Sequence, residues 1–256
     1  MYKFKNILLH IPHAATHLPP DFWQDTALGR AEIEREALFV CDYKTDELAA
    51  GIDCAKVIFG HSRLYCDVER FRDDADEPMA QRGMGTVYRQ LPGGKYYREI
   101  TPARRQEILA HAYDPHHAKL DQLSRQIVEE NGECILVDLH SYSDELVAKI
   151  FGAQENLPDI CLGYGEAWFE REAILRLKNF VESLGYSCAI NHPYTGALVP
   201  NWVYSAGDHR VRAVMLELNR RAYLHDNFVT NKAKRYLAVI VKFISTLDAA
   251  PAKMLK

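Results

Sequence analysis

Residues 133–143 read ECILVDLHSYS, and the way residues 134–139 are read decides the rest of the chain. The run is short, mostly aliphatic and does not alternate apolar with polar, which is the pattern of a central strand covered on both faces. Similar runs at 6–11, 56–59, 64–68, 148–151, 159–162 and 211–218 are further strand candidates. Between them lie helical patterns over 43–52, 102–130, 166–184 and 228–247. Thr101 is the expected N-cap of the second, with Pro102 in its first turn, and Pro115 is expected to kink or split it. Strands alternating with helices over the whole length predict one α/β sandwich domain with a mixed, mainly parallel sheet. Residues 71–97 break the pattern with DDADE, several glycines and Pro92. So long a connection is either a functional loop or a solvated insertion.

Composition narrows the partners. Against 35 Asp and Glu stand 31 Lys and Arg, a formal charge of -4 over 256 residues, so nothing draws the whole molecule to nucleic acid or an anionic membrane. No apolar run approaches the roughly 20 residues needed to span a bilayer. The basic start MYKFK is followed by only a few apolar residues and no small-residue cleavage site, so 6–11 reads as the first core strand and a cytoplasmic location is expected. The six cysteines form no C-x-x-C pair and sit mostly inside apolar runs. They read as reduced core thiols rather than zinc ligands.

In α/β sheets, ligands gather just past the carboxyl ends of the strands. His13 follows the strand at 6–11, His140 ends ILVDLH, and Glu217 lies near the end of the apolar run VRAVMLEL. A carboxylate in such a run needs a partner or a metal, because an unpaired ion in a low-dielectric interior is costly. Asp42 and Asp46 share one face at the start of a predicted helix. Either is a candidate third ligand, and either is equally an ordinary helix-start acid. Two histidines and a carboxylate with an open fourth position form a known catalytic zinc arrangement, although no HExxH helix is present. His10, His17, His61 and His209 are read as hydrogen-bonded structural residues. His116 and His117, beside Pro115, are either substrate contacts or an exposed pair. Arg63 and Arg70 of SRLYCDVERF could clamp a carboxylate or form surface ion pairs.

Taken in order, HIPHAATHLP, CDYKTDELA, SRLYCDVERF, YDPHHAKL, VDLHSYS, INHPYTGALVP and LELNRRAYL resemble the N-formylglutamate amidohydrolase family over residues 8–224. That family looks like a relative of zinc carboxypeptidases and peptidoglycan amidases. The resemblance implies a three-layer α/β/α sandwich, one bound zinc ion, and hydrolysis of the amide of a small N-acyl amino acid such as N-formylglutamate. Carried over by motif, His13, Asp42 and His140 would be the metal ligands and Glu217 the general base. Arg63, Arg70, His117, Asn191 and Asn219 would be the candidates to hold a substrate carboxylate. Two departures fall in loops that approach the substrate: PHAAT stands where PHSG or PHAG is common, and INHPYTGAL has one glycine where two are common. Cleavage of a peptide or cell-wall amide, or a binding module without turnover, are the competing expectations.

Overall fold

In the computed structural model, which describes residues 3–247, the decisive run becomes β3 (Cys134–Tyr142), buried along all nine residues. It lies inside a six-stranded sheet of order β2-β1-β3-β6-β4-β5, with β1 Ile7–Ile11, β2 Ala55–Ile58, β4 Ile160–Gly163, β5 Cys188–Ile190 and β6 Val211–Asn219. Strands β2, β1, β3 and β6 run parallel, β4 is antiparallel to β6, and β5 is parallel to β4. The sheet is therefore mixed and mainly parallel, as expected.

Register shows why these strands are apolar on both sides. Leu8, Leu136 and Ala213 are lateral neighbours and pack against α4 (Asp114–Asn131) and α7 (Asn201–Ala206). Their neighbours in sequence, Leu9, Val137 and Val214, point to the opposite face and meet α2 (Thr45–Ala49), α6 (Arg171–Ser183) and α9 (Asn231–Ile244). Helices on both faces make three layers, and each fully buried aliphatic side chain contributes roughly 1.5–3 kcal/mol. On the α4 face the character changes along the strands. Leu8 is followed two residues on by His10, Leu136 by Asp138 and His140, and Ala213 four residues on by Glu217. Period two thus carries one apolar surface into one polar surface at the carboxyl ends.

Several sequence expectations need correction. Residues 64–68 form buried turns rather than a strand, and their apolar character serves a second core with Phe22, Tyr88, Leu91 and Tyr97. Residues 148–151 end a helix, α5 (Asp144–Phe151), whose N-cap Ser143 accepts the Leu146 N–H at 3.2 Å. Pro115 does not split its helix. From α3 (Pro102–Ile108), capped by Thr101 as expected, the helical backbone continues through a π turn, Leu109–Tyr113, into α4. The wider turn places Pro115 where its missing N–H costs nothing. The acidic start of 71–97 and the turn at 93–96 are solvated, while Met84, Val87, Tyr88, Leu91 and Tyr97 are buried. A further helix, α1 (Arg30–Val40), buries Ile33, Ala37 and Val40 at helical spacing. The six cysteines are free, and five of them are buried.

One buried charge ties the end of α9 to the sheet. Arg212 on β6 donates through Nη2 to the Glu133 carboxylate at 2.9 Å and to the Leu247 carbonyl at 2.6 Å. Because both acceptors gain a charge-assisted bond, Arg212→Leu should cost about 2–3 kcal/mol. The expected result is a lower urea midpoint with an unchanged slope, and an unchanged midpoint would remove Arg212 from this role.

Candidate metal centre

His13, Asp42 and His140 meet where β1 and β3 end, each no more than 6% exposed. His13 lies two residues past β1. The chain leaving α1 is tied to it by the Asp42 N–H, which donates to the His13 carbonyl at 2.8 Å. Asp42 Oδ2 stands 3.0 Å from His140 Nδ1 and 3.6 Å from His13 Nδ1. One ligand atom from each residue lies within 4.8 Å of the others, so the three could hold a metal ion. Asp46 is exposed on α2 and lies outside this group.

The opposite nitrogen of each imidazole faces a second buried carboxylate. His13 Nε2 is 2.8 Å from Asp67 Oδ1, and His140 Nε2 is 3.0 Å from Asp138 Oδ1. Metal-binding histidines commonly donate their other ring N–H to a carboxylate, which fixes the tautomer and aims the remaining lone pair. With a metal bound that lone pair would be Nδ1 on both rings; without one, His140 Nδ1 is hydrogen-bonded to Asp42 Oδ2. His13 Nδ1 is buried and has no hydrogen-bond partner among the described residues. The electrostatics agree. Burial alone would raise the Asp42 carboxyl, but His13 at 3.6 Å and the hydrogen-bonded His140 at 3.0 Å outweigh it and hold it well below the usual range. Burial would lower the His140 pKa, but Asp138, Asp42 and Glu69 around it raise it well above the ordinary histidine value, so the ring carries positive charge among these carboxylates, the charge that a metal ion would supply in its place.

Glu217 lies on β6 opposite His140 in the β3 register and is 5% exposed. Its carboxyl forms no side-chain hydrogen bond or ion pair among the described residues. Burial raises its pKa to about 8, with His140 and Arg63 opposing the rise and Asp42 and Asp138 adding to it.

The expected substrate contacts fare differently. Arg63 donates to Asp67 Oδ2 through Nε and Nη2 at 3.1 and 2.8 Å, while Nη1 makes no hydrogen bond within the described residues. Arg70 Nε lies 3.5 Å from the same oxygen, which also accepts the Tyr88 hydroxyl at 2.7 Å. The remaining three have structural partners instead. His117 is buried, donates through Nε2 to the Val68 carbonyl at 2.9 Å and stacks on Tyr113. Asn191 spends its side chain on Tyr164 N–H and C=O and on Gly196 N–H, which shapes the loop after β5. Asn219 caps the short helix α8 (Arg220–Tyr223) and donates to Asp144 at 2.6 Å.

Sequence reasoning gave Asp67 and Glu69 no role beyond ion pairs with Arg63 and Arg70, missed Asp138, and left His10 as a lone structural residue. His10, Glu69 and Asp138 form a second group with metal-ligand spacing, next to the first. Burial would lower the His10 pKa, but hydrogen bonds and charge from Asp138 and Glu69 raise it to about 9. Asp138 was detectable in principle, since it lies two residues before His140 and so on the same strand face.

The family model of N-formylglutamate amidohydrolase matches residues 5–224. The chain belongs to this family. Membership makes the protein an amide-bond hydrolase by family and agrees with the strand-end cluster just described. N-formylglutamate amidohydrolase from Ralstonia eutropha superposes with a TM-score of 0.77 at 19% identity, over 94% of this chain and 92% of that one. A gene product of Agrobacterium tumefaciens superposes at 0.64 and 14% identity, over 94% and 90% of the two chains. At such identities these two likenesses speak for the family's fold alone. No curated protein matches the chain. Among the described residues no helix is long and apolar enough to cross a membrane.

Proposed function

We propose that this chain is a zinc-dependent amidohydrolase that cleaves the amide of a small N-acyl amino acid of the N-formylglutamate kind. The observation that carries the reading is the convergence of His13 Nδ1 and His140 Nδ1 on Asp42 Oδ2, at 3.6 and 3.0 Å. Two imidazole nitrogens and one carboxylate oxygen form a donor set that zinc takes at about 2.0–2.2 Å per ligand, with a further position open. Zinc in such a set supplies Lewis acidity, acidifying water toward neutrality and polarising a carbonyl oxygen.

The chain's own residues do the rest. Glu217, level with His140, takes a proton from the attacking water and returns it to the leaving amine. A cation beside it would draw its raised pKa down toward the range where a base works at neutral pH. Asp67 holds the His13 imidazole through Nε2, and the Asp138 charge lies beside His140 Nε2. Arg63 offers Nη1, and Arg70 beside it adds charge, to a substrate carboxylate. Binding there would also fix the scissile carbonyl. The partner is then a small carboxylate-bearing molecule.

Protein purified without chelator should hold close to one zinc per chain and turn over N-formylglutamate within a panel of N-acyl amino acids. Metal-free protein that is active, or zinc-loaded protein inert on the whole panel, would overturn the proposal. Arg63→Ala tests the carboxylate contact. Arg63 also holds Asp67, so activity should fall on every substrate. The free acid should nevertheless lose about 10–100-fold more kcat/KM than its carboxyl-amide, the worth of one charge-assisted contact. Equal losses would confine Arg63 to supporting Asp67.

A further inference from the structure

Behind His140 a line of buried polar side chains runs from the candidate ligands to the first turn of α4. Asp138 Oδ1 is hydrogen-bonded to His10 Nδ1 at 2.9 Å and lies 3.0 Å from His140 Nε2, a charge contact without hydrogen-bond geometry. His10 Nε2 is in turn 2.8 Å from His116 Nε2. The other Asp138 oxygen accepts the Leu198 N–H at 3.1 Å, on the loop between β5 and α7. His10 and Asp138 are fully buried, and His116 and His140 nearly so. An ionised carboxylate has acceptor capacity for His10 and Leu198 and still presents its charge to His140 Nε2. Once His10 donates from both nitrogens, to Asp138 and to His116, neither ring can turn without leaving a buried donor unpaired.

We propose that Asp138, His10 and His116 are positioning residues that set the tautomer of His140. The Asp138 charge beside Nε2 favours the proton on that nitrogen, which frees the Nδ1 lone pair for a metal ion between His140 and Asp42. The same carboxylate, through Leu198, fixes the loop beside that centre. The inference rests on the reading of His13, Asp42 and His140 as a metal site, and it explains a structural feature that hydrolysis by Glu217 does not use. A histidine held in this way binds metal more tightly, because the competing tautomer and ring orientations are removed beforehand. Loss of such a partner typically weakens metal affinity 10–100-fold.

The test is zinc affinity of the full-length protein, measured by competition with a chromophoric chelator, with thermal melting recorded for each variant. Asp138→Asn removes the charge beside His140 Nε2 and cannot accept from His10 and Leu198 through two oxygens, so it should bind zinc 10–100-fold more weakly than wild type. His10→Leu, which removes the support from Asp138, should weaken binding about 10-fold. His10→Asn keeps a donor near the Nδ1 position and should restore most of the loss. If Asp138→Asn fails to fold, the contrast between His10→Leu and His10→Asn carries the test alone. Wild type that binds zinc, with folded variants within twofold of it whatever their melting temperatures, would reduce the line to a structural staple and overturn the inference. Wild type that takes up no zinc would overturn the metal reading itself, and this inference with it.

Discussion

Glu217→Gln is expected to lower kcat by about 10²–10⁴-fold, the usual worth of a positioned general base, while zinc content stays near wild type. The amide keeps the shape of the carboxyl but accepts no proton. Glu217 has no hydrogen-bond partner among the described residues, so the change breaks no structural contact. Stability provides an independent readout. The folded pKa of Glu217 is raised above its ordinary 4.5 to about 8, chiefly by burial. Between these values the native state binds the proton that the unfolded chain releases. Its contribution is therefore fully present below about pH 4.5 and is lost as pH rises through about 8. In chelator-treated protein, wild type should lose urea resistance relative to Glu217→Gln between pH 5 and pH 9. Parallel curves would show that this carboxyl is not perturbed as described, and full activity of the Gln variant would remove it from catalysis.

His140→Ala is expected to fail differently, losing zinc and activity together. His140 stands between two carboxylates of the site, 3.0 Å from Asp42 and 3.0 Å from Asp138. Its removal subtracts one of three ligands and brings like charges nearer to being unscreened. Metal analysis after gel filtration should show well under one zinc per chain, and added zinc should restore little turnover. The pair of variants discriminates. If Glu217→Gln also sheds zinc to the same extent, Glu217 is a ligand and the base must be sought elsewhere. If His140→Ala retains a full equivalent of zinc, the second group at His10, Glu69 and Asp138 becomes the better metal site.

What the sequence determined by itself was whatever is written in local patterns. The aliphatic runs at 6–11, 134–139 and 211–218 announced central strands, because a strand covered on both faces has no polar side to show. Thr101 and Pro102 announced a helix start through local capping chemistry. The spacing of apolar runs and helical stretches announced the α/β class, and the order of seven short motifs announced the family. Local pattern misled where an apolar run served packing that no neighbour in sequence discloses. Residues 64–68 are buried in a second core, and 148–151 close a helix. It was silent on β5, three half-buried residues at the sheet edge.

The site divides along the same line. His13, His140 and Glu217 were legible because each is a polar residue at the end of an apolar run. The choice of Asp42 over Asp46 was not, since one helical turn separates them and only the bond from the Asp42 N–H to the His13 carbonyl puts one inside and the other in solvent. That Asp67 pairs with His13, 54 residues away, and Asp138 with His10, 128 residues away, was beyond the reach of local pattern. A charge is perturbed by whatever lies within a few ångströms of it, and chain neighbours account for almost none of that volume in a parallel sheet. Tertiary structure alone therefore decided which arginines are already paired, which asparagines shape loops, and why His10 is part of the centre rather than a lone residue in a strand.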